Sequence, residues 1–504
     1  MQNRSGRLIL NSIYSLLAWL LPVALGLLVT PLLLKRLGLE AYGVYLVILG
    51  FIGYSYTFNV SRAVAKFVAE FKASGETQKI NPAITAAFCI SLTSGILGSL
   101  VIALLANWAV KDLLQISTEF QRPATVALMI GGASIPFILI GQVFQNILQG
   151  THRFAALSII TNLNWSMLNA GNVLLVVLGF GIDSLILWTV VVAASVAAIS
   201  YVAARRSEPD YRLEFGSAEL MLRPVAAYGS SIFMYQIFGS LMLIFERAWV
   251  TRHFGAETAA YYLVPMALGL YFHGFMSNLT AAIFPVFNEL IADRERLLEL
   301  YKKSTKLIVS FSVLFLISMF FGGKIFLGLW IDPQFAEKSY RLLLIHAFTF
   351  GLMAAVIAVW QINEVFRAAR LNALLAGLWA FITIALMAVA SGQWGAEGVA
   401  ASRLIGVAVT LPAIFLIEKR FLGGTPWRFW GGVALRIFAA ALALSLVEYF
   451  IFAWLGIGGW IGLMLGWAFG ALVYLLVLAL AGFVSKDEKA AVLKLLGLDR
   501  ASVH

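Results

Sequence analysis

The chain is a succession of long apolar runs separated by short polar stretches. A helix needs about 20 apolar residues to cross the hydrocarbon core of a bilayer, and we count roughly fourteen runs of that kind. Six fall at 9–34, 41–72, 83–107, 121–149, 154–180 and 183–204, six at 224–251, 258–290, 303–323, 339–364, 369–390 and 396–418, and two at 430–455 and 460–483. The pattern predicts an all-α polytopic membrane protein with about 14 transmembrane helices.

Composition agrees with a membrane protein. Hydrophobic residues make up 61% of the chain and charged residues 12%, and the mean hydropathy is +0.90. A soluble globular domain would carry about 25% charged residues, so that class is excluded. The single cysteine, Cys89, rules out a disulfide framework and a cysteine-based metal site. We expect neither a metal nor a cofactor.

One stretch of the first half recurs in the second half. The first copy contains Lys35, Gly38, Glu40, Tyr45, Leu46 and Val47. At one constant spacing, these residues correspond in order to Arg252, Gly255, Glu257, Tyr262, Leu263 and Val264 of the second copy. The same spacing relates Asn146 to Asn363 and Arg153 to Arg370. Each repeat holds six predicted helices, an even number, so the repeats are parallel. Parallel repeats typically form two lobes around a central cavity and work by alternating access.

The predicted domains follow from this repeat. Residues 1–206 form an N-lobe, 207–223 a cytoplasmic inter-lobe loop, 224–420 a C-lobe, 421–484 two C-terminal helices, and 485–504 an amphipathic cytoplasmic tail. The chain has 36 Lys and Arg against 25 Asp and Glu. Most of these cations lie on one side if both termini are cytoplasmic, as the positive-inside rule expects. The net charge of +11 therefore predicts membrane topology and no nucleic-acid partner.

Two further features are architectural. Pro136, inside the fourth apolar run, is expected to bend its helix. Four glycines form a small-residue ridge on the last helix, which allows close packing against helix 13 or a second protomer; they are Gly458, Gly462, Gly466 and Gly470.

Several segments resemble a known family. The opening P-L-L-x-K-R-L-G-x-x-x-Y-G-x-Y, from Pro31 to Tyr45, and the helix end N-V-S-R-A-V-A-K-F-V-A-E-F resemble the start of bacterial polysaccharide (O-antigen type) lipid flippases. The segments F-E-R-A-W-V-T-R-H-F-G-A-E-T-A-A-Y-Y, F-P-V-F-N-E-L and L-W-I-D-P-Q-F resemble the second lobe of that family, in order and spacing. These flippases belong to the multidrug/oligosaccharidyl-lipid/polysaccharide (MOP) exporter superfamily.

The resemblance implies that the chain moves an undecaprenyl-diphosphate-linked oligosaccharide across the bacterial inner membrane for cell-surface polysaccharide or lipopolysaccharide synthesis. Family analogy adds a glycan polymerase as a partner. One alternative is a multidrug or peptidoglycan-precursor exporter of the same superfamily. Another is a membrane glycosyltransferase or polymerase that uses the same lipid carrier. The predicted outer loops are short and the chain has no phosphate-binding G-x-x-x-x-G-K-[ST] loop, so we expect a transporter that is not an enzyme.

Amide side chains on two predicted helices are candidate sugar ligands. Helix 4 carries a stripe at helical spacing that consists of Gln142, Gln145, Asn146 and Gln149. Helix 5 carries a similar stripe that consists of Ser158, Asn162, Trp165, Asn169 and Asn172. Amides can hydrogen-bond sugar hydroxyls and an indole can stack on a sugar ring. The alternative is that the same amides join helices to one another within the lipid.

Cations near the end of helix 2 are candidate ligands for the diphosphate. Asn59, Arg62, Lys66 and Glu70 share one face of that helix. Arg62 and Lys66 are like charges one turn apart, which is unfavourable unless an anion or Glu70 lies between them. The alternative is that both side chains simply reach the membrane interface.

Three charged residues lie deeper in the predicted helices. Arg247 and Arg403 are candidate cavity residues, because charges within the bilayer are costly and typically mark a transport pathway. Glu246, beside Arg247, is the candidate ion-coupling residue. For both arginines the alternative is a structural ion pair or an anchor at a helix end.

Overall fold

A computed structural model describes residues 2–55, 61–281, 283–456 and 458–484. All regular elements in these ranges are helical. The helices are α1 (Gln2–Leu37), α2 (Leu39–Ser55), α3 (Arg62–Ser74), α4 (Ile80–Trp108), α5 (Thr118–Gly132), α6 (Ser134–Gly150), α7 (Phe154–Val177), α8 (Ile182–Ser207), α9 (Glu219–Ala281), α10 (Phe284–Glu289), α11 (Arg294–Trp330), α12 (Pro333–Ala355), α13 (Ile357–Val365), α14 (Ala369–Thr410), α15 (Ala413–Phe421), α16 (Trp427–Glu448) and α17 (Gly459–Leu480). The predicted all-α class is confirmed.

The helices are long and apolar enough for a multi-pass membrane protein. Within the described ranges, nine helical stretches have the length and composition to cross a bilayer. The stretch Arg370–Phe421 covers two of the predicted helices, and α9, with 63 residues, covers predicted helix 7 and most of predicted helix 8. The number of crossings, about 14, therefore stays a prediction.

Glycines interrupt the two longest helices. Gly255 in α9 has φ 82° and ψ 167°, and Gly395 in α14 has φ 57° and ψ −140°. A left-handed φ of this kind costs glycine little and other residues much more. Gly38, the repeat counterpart of Gly255, has φ 83° between α1 and α2. Both copies of the repeat thus turn between two helices at the same matched glycine.

Predicted helix 4 is divided into α5 and α6, which meet at Ala133. Pro136 has no N–H to donate to the carbonyl oxygen of Gly132, so the helical hydrogen bond at that point is missing. The hydroxyl of Ser99 on α4 donates to this carbonyl oxygen instead, at 2.7 Å. Predicted helix 2 (41–72) corresponds to α2 and α3, and residues 56–60 between them lie outside the described residues. The bend expected at Pro136 is therefore a break between two helices.

The chain forms two compact units. The first contains residues up to Val264 together with Ala368–Gly406, and the second contains Pro265–Arg367 and the residues from Val407 onwards. The predicted lobe and tail boundaries stay a prediction, and the tail at 485–504 lies outside the described residues.

In the first unit the two repeated helices contact each other closely. Gly43 of α2 faces the main chain of α9 at Ala256 and Ala260. Ala260 is the repeat counterpart of Gly43. Glycine and alanine allow the two backbones to approach in this way.

In the second unit, α11 packs against α12, α16 and α17. The hydroxyl groups of Ser310 on α11 and Tyr474 on α17 lie 3.1 Å apart within this bundle. Gly466 lies against Phe452, and Gly470 lies against Leu444 at the end of α16. These two glycines of the predicted ridge therefore pack against the preceding helix.

The segment between α8 and α9 is fastened to the start of α4. Asn81 donates to Glu214 Oε1 at 2.8 Å and accepts from the backbone N–H of Arg212 at 3.1 Å. Thr85 Oγ1 accepts from the backbone N–H of Glu214 at 2.7 Å. Two hydrogen bonds hold the pKa of Glu214 below its usual range. The one from Asn81 has the larger effect and the one from Arg212 the next largest. This predicted loop is therefore an ordered segment fastened to α4 through Asn81 and Thr85.

Acidification is expected to loosen this segment slightly, because it weakens the hydrogen bonds to the Glu214 carboxylate while the two backbone hydrogen bonds to Asn81 and Thr85 stay. Folding lowers the pKa of Glu214, so the ionised carboxylate stabilises the folded segment. This stabilisation is fully present above the pKa of the unfolded chain, about 4.3, and is lost as the pH falls through the pKa of the folded protein. The effect is small because the carboxylate is exposed to solvent. Hydrogen exchange of residues 208–218, corrected for intrinsic rates, should rise on acidification. Glu214→Gln should show that faster exchange already at neutral pH, and an acid response equal in both proteins would contradict the assignment.

Candidate functional site

A buried charge pair joins α9 and α14 within the first unit. Glu246 and Arg403 are 0% and 1% exposed. Arg403 Nη2 makes an ion pair with Glu246 Oε2, and the hydroxyl of Tyr262 donates a hydrogen bond to Glu246 Oε1. Burial of a lone charge is costly, so each ion stabilises the other. Gly255 lies between Glu246 and Tyr262, and the hydrogen bond therefore spans the break in α9.

Arg247 faces a different helix. Its Nη1 donates to the carbonyl oxygen of Leu46 on α2 at 2.6 Å, and its side chain lies over Gly50. A side chain at position 50 would occupy the same space as the guanidinium group. Arg247 is therefore a half-buried cation of α9 that contacts the first-repeat helix α2, whereas the adjacent Glu246 pairs with Arg403.

Arg252 makes a second link of this kind. Its Nη1 donates to the carbonyl oxygens of Asp112 and Leu113, at the end of the π-helical turn Ala109–Leu113. Arg252 corresponds to Lys35 in the repeat, so this matched cation binds the end of the segment that follows α4.

The amides of α6 hydrogen-bond to other helices. Gln145 donates to Ser200 of α8 at 3.2 Å. Asn146 donates to Ser61 at 2.9 Å and to the carbonyl oxygen of Gln142 on its own helix at 2.8 Å. These bonds match the alternative in which amides join helices. The half-buried side chain of Gln142 completes this stripe.

The stripe on α7 is divided between internal and external partners. Asn169 donates to the carbonyl oxygen of Trp165 at 2.8 Å, one turn earlier. Asn172 donates to the hydroxyl of Tyr45 on α2 at 2.9 Å. Asn162 is half-buried, and the indole of Trp165 is 40% exposed. Of this stripe, Trp165 offers the most accessible surface.

The cations of α3 are exposed. Lys66 lies 4.4 Å from the centroid of the Tyr228 ring and pairs with Glu70 at 3.7 Å. Arg62, one turn before Lys66, is exposed as well. The sequence predicted that an anion or Glu70 lies close to the like charges Arg62 and Lys66. In the structure Glu70 pairs with Lys66. Asn59 lies outside the described residues.

Two buried carboxylates were not identified from the sequence. Glu418 of α15 accepts hydrogen bonds from the Tyr301 hydroxyl at 2.9 Å and from Trp430 Nε1 at 3.0 Å. Glu448, the last residue of α16, accepts one from Ser318 of α11 at 2.9 Å. Both are 0% exposed. The signal was present, because each is an acidic residue within a predicted transmembrane helix.

The fold is shared with several solved transporters. A structure described as lipid II flippase MurJ in an inward closed conformation matches with a TM-score of 0.70 and 14% identity, covering 94% of this chain and 99% of that chain. An inward-facing multidrug resistance MATE family transporter of the MOP superfamily matches with a TM-score of 0.63 and 15% identity, covering 82% and 94%. A MOP superfamily transporter from Pyrococcus furiosus also has a TM-score of 0.63 and 15% identity, covering 83% and 96%. This chain thus has the fold of MOP superfamily transporters.

Sequence comparison gives a more specific result. Residues 36–339, more than half of the chain, match the family described as polysaccharide biosynthesis protein. A Shigella flexneri protein named "Putative O-antigen transporter" is 19% identical over 362 residues, which span 69% of this chain and 83% of that protein. The chain therefore belongs to the polysaccharide biosynthesis protein family. It is a multi-pass membrane protein similar to O-antigen transporters.

Proposed function

We propose that this protein moves an undecaprenyl-diphosphate-linked oligosaccharide from the cytoplasmic to the outer leaflet of the bacterial cytoplasmic membrane. The observation that supports this most is the family match over residues 36–339, together with the relative named as an O-antigen transporter. Both termini would lie in the cytoplasm. The glycan would then enter cell-surface polysaccharide synthesis, where a glycan polymerase is the proposed partner.

The fold is suited to the same proposal through alternating access, in which a substrate site is exposed to each side of the membrane in turn. The MurJ and MATE neighbours also suit the alternative, an exporter of peptidoglycan precursors or of drugs. The family match favours a polysaccharide substrate, and for that reason we propose the glycan lipid as the substrate.

Two parts of the substrate need different ligands. The diphosphate requires cations, and we assign it to Arg62 and Lys66 on α3 and to Arg247, since guanidinium groups can bind phosphate through two parallel hydrogen bonds. The sugars require amides and an aromatic surface. We assign the sugars to Asn59 and to six residues of the stripes on α6 and α7. These six are Gln142, Gln145, Asn146, Asn162, Trp165 and Asn169.

Arg403 has a different place in this proposal. Its charge is balanced by Glu246, so binding of a phosphate by Arg403 would compete with that carboxylate. A proton on Glu246 would remove the competition and leave Arg403 available to an anion. Glu246 therefore remains the proposed ion-coupling residue, and Arg403 is the cavity residue that would respond to it.

The test is transbilayer movement of a fluorescent undecaprenyl-diphosphate oligosaccharide in proteoliposomes, read by access of a quencher to the outer leaflet. Arg62→Ala and Arg247→Ala should each weaken substrate binding about ten- to hundredfold, since a hydrogen bond to a charged group is worth about 1.5–3 kcal/mol. Substrate titration with each variant measures this change.

Arg428→Ala is the matched control, because Arg428 is an exposed cation of α16 outside the proposed set. Its substrate titration should follow that of the wild type. If the wild-type protein moves no lipid-linked glycan and instead exports small cations against a proton gradient, the multidrug alternative replaces the proposal.

A further inference from the structure

The second unit buries a carboxylate with few partners. Glu448 is 0% exposed and lies between α11 and α17. Its Oε1 accepts the hydroxyl hydrogen of Ser318 at 2.9 Å, and its Oε2 has no hydrogen-bond partner in the part of the chain that the structure describes. Gly470 of α17 approaches the same carboxylate, and a side chain at position 470 would meet Oε1 at 3.1 Å. The glycine therefore leaves room for the carboxyl group.

The groups around Glu448 are neutral or already engaged. On α11, Lys306 donates to the carbonyl oxygen of Phe483 and Lys324 pairs with Glu337 of α12. Other titratable residues on the helices of this bundle include Arg436, about three turns before Glu448 on α16, Tyr449 after it, and Tyr474, the one titratable residue that α17 contains. On α12 they include Lys338, Tyr340, Arg341 and His346. Tyr474 bonds to Ser310. Ser318 thus supplies an uncharged hydroxyl as the hydrogen-bond donor to this acid.

This setting favours the protonated acid. An ionised carboxylate without a cation costs far more to bury than a neutral hydroxyl group. A neutral acid can keep the hydrogen bond from Ser318 to its carbonyl-type oxygen. The proton must then have a route to water if it is to be exchanged.

A cavity lies about one helical turn from Glu448 and Ser318. It has a volume of about 440 Å³ and is lined by residues that include Phe321 of α11 and Phe452. Phe321 lies about one helical turn beyond Ser318, and Phe452 lies one turn beyond Glu448. The turn after Glu448, Tyr449–Trp454, is π-helical, a form often found at functional sites. Lys324 and Glu337 also line the cavity, so its wall carries charge.

We propose that Glu448 is a proton-binding site of the bundle formed by α11, α16 and α17. It is held as a neutral carboxylic acid and exchanges its proton with water in this cavity. On the predicted orientation, α11 runs outward and the cavity opens at the outer face. This site is separate from the residues proposed to bind the glycan lipid, and it holds whether or not that substrate is correct.

The first measurement is modification of the purified full-length protein by dicyclohexylcarbodiimide, which reacts with protonated carboxyl groups in apolar surroundings. Peptide mass spectrometry should find Glu448 modified at neutral pH, with modification falling as the pH is raised. Exposed carboxylates such as Glu70 serve as an internal control and should remain unmodified. A folded protein in which Glu448 is unmodified, or is modified equally at every pH, overturns the proposal.

The second measurement is infrared spectroscopy, which does not depend on transport. Wild type should show a protonated carboxyl band that shifts in deuterated water and is absent in Glu448→Gln. Gly328→Trp places a bulky ring in the cavity and should slow this shift severalfold, whereas Gly239→Trp, at a position with open space, should not. An ionised Glu448, or an exchange rate unaffected by Gly328→Trp, contradicts the inferred site.

Discussion

Arg403→Ala is expected to lower the free energy of unfolding by about 3–5 kcal/mol, the usual cost of leaving one member of a buried ion pair without its partner. Glu246 would remain 0% exposed, with the Tyr262 hydroxyl as its remaining hydrogen-bond donor in the described contacts. Glu246→Gln should also destabilise, because it leaves the guanidinium group buried. Denaturation of the purified proteins in one detergent measures both changes.

The double variant Glu246→Gln/Arg403→Met separates the pair from its surroundings. Removal of both charges should cost less than the sum of the single changes, since neither ion is then left alone. Arg428→Ala is the surface control and should stay within about 0.5 kcal/mol of the wild type. If Arg403→Ala matches that control, or if the two single costs add, the ion pair does not stabilise the protein.

This pair shows where sequence reasoning reaches its limit. The sequence identified Glu246, Arg247 and Arg403 as charges within helices, and it placed Glu246 beside Arg247. Neighbouring residues on a helix point in different directions, so they do not face each other. The structure pairs Glu246 with Arg403 and directs Arg247 to the carbonyl oxygen of Leu46. The choice of partner depends on tertiary packing, which no spacing along the chain contains.

The fold was more predictable than the site. Apolar runs and the low charge content were enough to predict the all-α membrane class. The repeat matched Gly38 with Gly255, and the structure has a turn at each of these glycines. Helix boundaries were less predictable. The helix α9 continues without a gap from predicted helix 7 into predicted helix 8. Predicted helix 4, in contrast, divides at Ala133 because Pro136 removes one hydrogen bond.

The amide stripes illustrate a different limit. Helical spacing places Gln145 and Asn146 on neighbouring parts of α6, but the spacing is the same for a sugar ligand and for a helix-joining group. Their bonds to Ser200 and Ser61 arise from helices distant in the sequence. Glu448 shows the same limit, because a carboxylate isolated in an apolar run has no neighbour along the chain that indicates its partner. Its hydrogen bond from Ser318 of α11 arises from tertiary packing.

Three glycines of α2 give the second large effect, and they form a graded series. Gly43 faces the backbone of α9 at Ala256, which cannot rotate away, so Gly43→Ala must push the two helices apart. Overpacking of this kind costs about 1–3 kcal/mol in the free energy of unfolding. At Gly50 the added methyl group would meet the flexible side chain of Arg247, so Gly50→Ala should cost less. Denaturation of the three alanine variants measures the series.

Gly53→Ala completes this series, because the added methyl group would meet no atom of the described residues within 4 Å, its chain neighbours and its own helix backbone aside. In a helix, alanine is favoured over glycine by up to about 1 kcal/mol, so this variant should be neutral or more stable than the wild type. Gly53→Ala is thus the control for Gly43→Ala, because it makes the same substitution in the same helix. Because Ala260 is the repeat counterpart of Gly43, a cost found only at Gly43 would mean that close contact between the repeated helices stabilises the first unit. Equal stability of Gly43→Ala and Gly53→Ala would mean that these helices can separate without loss, and the contact would then not be a stabilising feature of the fold.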